Sequence, residues 1–405
     1  MAALAACSGS GGTGNVAPRP ASTPSPTGSA TANPSASPTA SGSPTASGSP
    51  TATPRPSSSP TASPTASATP SPTPSASGTP SPSPTPTAPA TTGCAFTITE
   101  IPLPNAGSNP DYITAGPDGA LWFAENGTSK IGRITTSGGI TEFATPTANS
   151  GPFSITLGSD GALWFTEFNS GKIGRITTAG AITEFTSTNF FRPWVITNGP
   201  DGNLWYTDNS SGAIGTMTTA GVASPEYAVP GQGAGNNREP YGIVAGPDGA
   251  LWITDFLGAI DRMTTSGTVT QFLINGSEPD MIAVGGDGAL WYTLSFQYAI
   301  GHITTSGTNT FDPTPSGGPQ SYSNGIALGL DGAMWFALNA SAIGRITTTG
   351  SVEECPTPTQ VPDGTVLPFG MAAGPDSAMW FTENQGNNIG RIPVTVTPGS
   401  KLRRR

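Results

Sequence analysis

The chain has 405 residues, with 54 Gly and 43 Pro, and only 10% of it is charged. The net charge of −10 argues against nucleic acid as a partner, because phosphate binding needs a basic face. No apolar run reaches the roughly 18 residues that would read as a transmembrane helix, and the single His excludes a multi-histidine metal centre.

Residues 1–7 read as the remnant of an export signal. Leu4-Ala5-Ala6-Cys7 resembles a bacterial lipobox, which implies a lipid on Cys7. Met1-Ala2-Ala3 supplies neither the charged nor the apolar part of a leader. Either a start further upstream supplies it or the match is chance. Residues 8–93 are almost wholly Pro, Ser, Thr, Ala and Gly. Such a segment has nothing to offset its ordering entropy, so it is expected to be a disordered, extended stalk. All 25 acidic residues follow it, starting at Glu100. Residues 399–405 form a basic tail that reads as a solvated terminus.

Residues 94–398 are a repeat. One unit reads Gly116-Pro-Asp-Gly-Ala-Leu-Trp-Phe-Ala-Glu125, then Lys130-Ile-Gly-Arg-Ile-Thr-Thr136, then Ile140-Thr-Glu-Phe143. Its Trp recurs at Trp122, Trp164, Trp205, Trp252, Trp291, Trp335 and Trp380. A period of about 40–45 residues with strand-like units predicts an all-β, seven-bladed β-propeller. Each unit parses into four strands. An inner strand such as Tyr112–Ala115 ends at a Pro-Asp-Gly turn, where Gly accepts positive φ cheaply. The second strand, Leu121–Glu125, is aromatic. The third runs from Lys130 to Thr135 and the outer one from Ile140 to Phe143. Thr97–Ile101 copies the outer strand ahead of the first unit, so it is expected to complete the last blade, with Val394–Thr397 as its competitor.

Cys94 and Cys355 are candidates for a disulfide. Cys355 falls in the outer-strand slot of Phe143, whereas Cys94 lies seven residues ahead of the equivalent Ile101. That is roughly 20 Å of extended chain, while bridged Cα atoms lie within about 7 Å. The spacing therefore argues against a bridge unless the chain before Phe96 folds back.

Two slots recur at the end of the channel. The first follows a frequent Pro and holds Asp111, Phe153, Trp194, Tyr241, Asp280, Asn324 and Phe369. Its rings suit stacking on a small molecule, peptide or glycan. The second slot closes the Trp-bearing strand and holds Glu125, Glu167, Asp208, Asp255, Leu294, Leu338 and Glu383. These carboxylates either accept hydrogen bonds from loops or form an oxygen-rich ring for Mg²⁺ or Ca²⁺. Glu239-Pro-Tyr-Gly-Ile243 with Asp255 concentrates the candidates, which makes Tyr241 and Asp255 the catalytic pair to consider and Glu239, Asp255 and Glu383 the metal ligands. His302 stands where other units carry Arg and reads as structural.

The wording of the repeat, clearest at Ser159–Glu167, Lys172–Thr178 and Ile182–Phe185, resembles the virginiamycin B lyase (streptogramin lyase) family. The resemblance implies a seven-bladed propeller and a Mg²⁺-dependent elimination that opens the ester of a cyclic depsipeptide. It also implies four working groups, two His and two Glu, in the last two blades. Here one His position falls on Asn324, the other on Phe369, one Glu on Leu367, and only Glu383 is kept. The expectation is an exported, lipid-anchored, monomeric propeller that binds a ligand at its mouth without the His-based chemistry. The alternative is a Mg²⁺-dependent lyase with substituted residues.

Overall fold

The computed structural model describes residues 94, 96–186, 192–229, 239–274, 278–295, 297, 299–315, 323–338, 341–359 and 367–394. Cys7, the expected stalk at 8–93 and the basic tail at 399–405 lie outside the described residues. Among those described, 28 strands form seven antiparallel sheets of four. The inner strands contact one another in a closed cycle, so the sheets are the blades of a seven-bladed propeller. The first blade runs Pro110–Ala115, Ala120–Glu125, Lys130–Thr135 and Ile140–Ala144 from axis to rim.

The repeated wording has a single physical cause. In each blade the Trp indole donates to the Asp of the preceding turn, as Trp122 Nε1 does to Asp118 Oδ1 at 3.1 Å. The third-strand Arg takes the other oxygen, with Arg133 Nε 2.7 Å from Asp118 Oδ2, and its guanidinium lies over the Trp ring. Burial pushes the Asp118 carboxyl up, but the bonds from Trp122 and Arg133 outweigh it and hold the group below its ordinary value. The same pairing recurs at Asp160, Asp248, Asp331 and Asp376. Six of the seven repeat Trp side chains are among the largest fully buried ones, and truncating such a residue costs about 3–5 kcal/mol. The third-strand Gly is a packing requirement. A Cβ on Gly132 would stand 2.1 Å from the Phe123 ring.

The last blade is closed by the N-terminus. Thr99–Pro102 pairs antiparallel with Asn388–Pro393, placing Ile101 opposite Ile389 and Glu100 opposite Gly390. The expected closing strand is therefore confirmed over its competitor.

The expectation against a disulfide is overturned. Cys94 and Cys355 are bridged, with Cα atoms 5.2 Å apart. The chain before the closing strand does fold back, and the outer-strand slot explains why. Phe143, Phe185, Tyr227 and Phe272 fill that slot in four blades and stack on their own blade's Trp. Blade six has Cys355 there, opposite Ile343, which leaves Trp335 without its ring. Phe96 supplies one from the N-terminus, its centroid 4.8 Å from that of Trp335. Burial of Phe96 and Ile98 against Trp335, Ile343 and Met371 bends the segment over blade six and delivers Cys94 to Cys355.

Candidate functional site: the axial mouth

The first slot forms one rim around the axis, and a threonine relay holds it in place. In several blades the second-strand Thr lies between two neighbouring inner strands. Thr207 Oγ1 accepts from Val195 N at 3.1 Å and donates to the carbonyl of Tyr241, in the next blade, at 2.8 Å. Thr166 does the same for Trp194, Thr293 for Asn324, Thr254 for Asp280 and Thr382 for Asp111. A bulge after the Pro, seen in every inner strand with such a partner, turns the slot residue toward the mouth.

The structure brings the aromatic members of the slot together. Phe153 and Trp194 have centroids 4.0 Å apart, Trp194 and Tyr241 5.8 Å, and Phe153 and Phe369 5.7 Å. Tyr112 sits one residue past the slot, where other blades have Ser154, Val195, Gly242, Met281, Gly325 and Gly370. Its ring packs on Phe153 and Phe369, each 5.3 Å away. With Val195, Met281 and the following Ile residues it lines an axial cavity of about 240 Å³. Two more rings join from the loops, Phe168 at 4.9 Å from Trp194 and Phe256 at 4.9 Å from Tyr241. Sequence reasoning missed Tyr112, Phe168 and Phe256. A signal existed for the last two, since both follow the second-slot acid where other blades have Asn126, Asn209 or Asn384.

The polar slot members differ from one another. Asp111 is buried and its Oδ1 accepts from Asn384 Nδ2 at 2.6 Å. Burial nevertheless drives its carboxyl well above the ordinary range. Asn324 donates from Nδ2 to the Pro368 carbonyl at 3.0 Å. Asp280 is only 9% exposed, and burial alone pushes it up to about 7. The Tyr241 phenol is pushed up to about 12 by burial, then by Asp280 and Glu239. It stays protonated at neutral pH.

The second slot does a different job. Glu125, Glu167, Asp208, Asp255 and Glu383 are at most 1% exposed and lie within separate blades. Each accepts from the turn or strand that follows it. Thr128 reaches Glu125 at 2.9 Å, Ser170 reaches Glu167 at 2.8 Å, the Ser210 and Ser211 amides reach Asp208, Leu257 N reaches Asp255 at 3.0 Å, and Asn388 reaches Glu383 at 2.9 Å. Glu239 N faces Asp255 Oδ1 at 3.5 Å, while Glu383 stands in the seventh blade. Among the described residues no group of three Asp, Glu, His or Cys is placed to hold a metal ion. His302 stacks on Trp291 with centroids 4.4 Å apart, and its Nδ1 lies 3.2 Å from Asp312 Oδ2, as a strand residue would.

The model of the virginiamycin B lyase family matches residues 90–234 and 186–395. The chain belongs to the virginiamycin B lyase family. A solved streptogramin B lyase is 31% identical over 74% of this chain and 98% of its own, with a TM-score of 0.68. Virginiamycin B lyase from Staphylococcus aureus is 34% identical over 74% of this chain and 100% of its own, with a TM-score of 0.67. The same enzyme is also solved as a catalytically inactive His-to-Ala variant with quinupristin, at the same identity and coverage. At 15% identity and a TM-score of 0.60, Kuenenia stuttgartiensis hydrazine synthase shares the fold alone. No protein of curated function matches the chain by sequence.

The resemblance sets the family's working groups against Asn324, Leu367, Phe369 and Glu383. Leu367 sits at φ 47°, and its carbonyl accepts from Asn384 N at 3.0 Å. Its side chain is hydrocarbon. Phe369 contributes a ring to the aromatic rim and carries no proton acceptor. Asn324 is tied to Pro368. Glu383 faces Glu100 and Asn388 inside its blade. Of these four side chains only Glu383 carries a carboxylate, and Leu367 and Phe369 offer no ligand atom.

Proposed function

We propose that this chain is a ligand-binding member of the virginiamycin B lyase family, exported and held at the cell surface by a lipid on Cys7. It acts as a monomer and takes a small molecule, peptide or glycan at its axial mouth without opening an ester. The observation that carries this reading is the hydrocarbon at Phe369 and Leu367, where proton abstraction and metal ligation would need His and Glu. Tyr241, the remaining candidate base, is held protonated by its surroundings. A general base typically supplies about 10²–10⁴-fold in rate, so its loss removes the turnover and leaves the pocket. The rings of Phe153, Trp194, Tyr241 and Phe369 supply the apolar contact area that such a pocket uses.

The test is to incubate the full chain with quinupristin, with and without Mg²⁺, and to read ring opening by mass spectrometry alongside binding by calorimetry. The expected result is intact quinupristin throughout. A linear product that depends on Mg²⁺ would instead make the chain a lyase with substituted residues.

A further inference from the structure

Three polar groups end at the mouth. Two are unpartnered buried atoms, the Tyr112 hydroxyl and the Trp194 indole N–H, and the third is the Asp280 carboxylate, in a residue 9% exposed whose charge is felt by Tyr112 and Tyr241. Asp280 is the most telling of them. A carboxylate in a residue nine-tenths buried is costly to ionise, which is why burial raises it, and a cation held against it would offset that cost. Its backbone carbonyl accepts from Thr254, the relay bond that holds this inner strand against blade four.

Its neighbours share its sign. Glu239 and Glu278 precede the Pro of blades four and five, and the Glu239 charge raises both the Glu278 carboxyl and the Tyr241 phenol. Glu278 Oε2 is buried and unpartnered. No described Lys or Arg pairs with Asp280, Glu239 or Glu278. The rim cation Arg192 stacks instead over Phe168, its Cζ 4.6 Å from the ring centroid. Beside these carboxylates stand Trp194, Tyr241 and Phe256, the first two half-buried and reachable from the mouth. Rings of this kind attract a positive charge through their quadrupole. A bare divalent ion needs several oxygens at short range, and no group of three acidic or other ligating side chains meets here.

We propose that the mouth binds an organic ammonium group, its charge set against the Asp280 carboxylate beside the rings of Trp194 and Tyr241. The inference rests on the reading of the mouth as a binding site and adds the chemical class of its ligand. Binding would hold Asp280 ionised and give the buried carboxylate the partner the fold withholds.

The experiment compares choline with its neutral isostere, 3,3-dimethylbutan-1-ol, on the full chain by calorimetry and saturation-transfer NMR. Choline is expected to bind saturably, and the isostere about tenfold or more weaker. Asp280→Asn is expected to lose about tenfold or more of choline affinity, while its melting temperature stays level or rises because an unpaired buried carboxylate is gone. Trp194→Leu serves as a second variant, with a similar loss expected. Equal binding of choline and isostere, or unchanged affinity in Asp280→Asn, would overturn the ammonium assignment and leave the mouth standing as an apolar site. Displacement of choline by Mg²⁺ would assign the carboxylates to a metal and overturn it too. Absence of choline binding while quinupristin binds intact would defeat this inference alone. Mg²⁺-dependent opening of quinupristin would defeat the non-lyase reading without touching it.

Discussion

Glu383 faces Glu100 over Gly390 in the seventh blade, where the lysine that attends the same pair elsewhere is replaced by Asn388. In blades one and two the outer-strand acid of that pair, Glu142 or Glu184, has Lys130 or Lys172 at 2.6 Å. Asn388 carries no charge, so no cation offsets the seventh-blade pair as Lys130 and Lys172 do the others. Thr359 also reaches Glu100 from the loop of blade six, which makes this pair part of the seam that closes the ring.

Stability should therefore fall as the solution becomes alkaline. Burial, and then the Glu100 carboxylate, push Glu383 up to about 8 against the bond from Asn388. Burial also pushes Glu167 and Glu226 up to about 7. An acid raised in the folded state binds more protons there than in the unfolded chain. Its contribution is complete below the unfolded value of about 4.3 and is lost as pH rises through the folded value. The melting temperature should be higher at pH 5.5 than at pH 8.5. Glu383→Gln, which mimics the protonated acid, should flatten that slope, and an unchanged slope would count against the pair.

Reducing the disulfide should loosen the closure. The bridge joins residues 261 apart in sequence, and such cross-links contribute about 2–4 kcal/mol. Cys355→Ser is expected to lower the melting temperature by several degrees, and a reductant should do the same to the parent but not to the variant. Export, as proposed, would place the bridge in a compartment that maintains it.

Phe96→Ala tests the packing that forms the bridge. It should cost about 1–3 kcal/mol by uncovering Trp335. It should also slow formation of the disulfide on refolding, read by thiol titration, because the fold-back of the segment is what brings the cysteines together.

The relay that sets the rim is open to a single substitution. Thr207→Ala leaves the Val195 amide and the Tyr241 carbonyl without their shared hydroxyl, at a cost of about 1–3 kcal/mol. The variant should still fold, since Ala124 and Ala337 occupy this place in two blades. Denaturant melts will give the cost, and ligand binding should weaken with it.

Restoring the lost groups is the sharpest test of the non-lyase reading. The triple variant Asn324→His, Leu367→Glu and Phe369→His is expected to gain ring opening of quinupristin in Mg²⁺ that the parent lacks, at a level about 10²-fold or more above background. Mass spectrometry of the two proteins side by side decides it.

Much of the architecture was legible because each repeated residue has one local partner. Trp122, Asp118 and Arg133 meet within a hairpin, so their spacing announces the blade. Ile101 announces ring closure because it copies the outer strand out of order. The disulfide was not legible, since the path of Phe96 depends on a slot left empty by Cys355 some 260 residues away. The acidic slot was legible as a pattern, but its direction was not. Only the third strand, with Gly132 beneath Glu125, shows that these carboxylates face into the blade.

The amino-acid sequence alone determined the seven blades and their closure, because those rest on period and local hydrogen bonding. The tertiary structure decided which slot residues meet. Tyr112, Phe153 and Phe369 come from blades one, two and seven, and Asp280 from blade five. Their contact is set by the closing of the ring, which brings together residues more than 250 positions apart in the chain. It also decided that Asp280 is buried and unpaired, a property of the assembled mouth that no stretch of sequence carries.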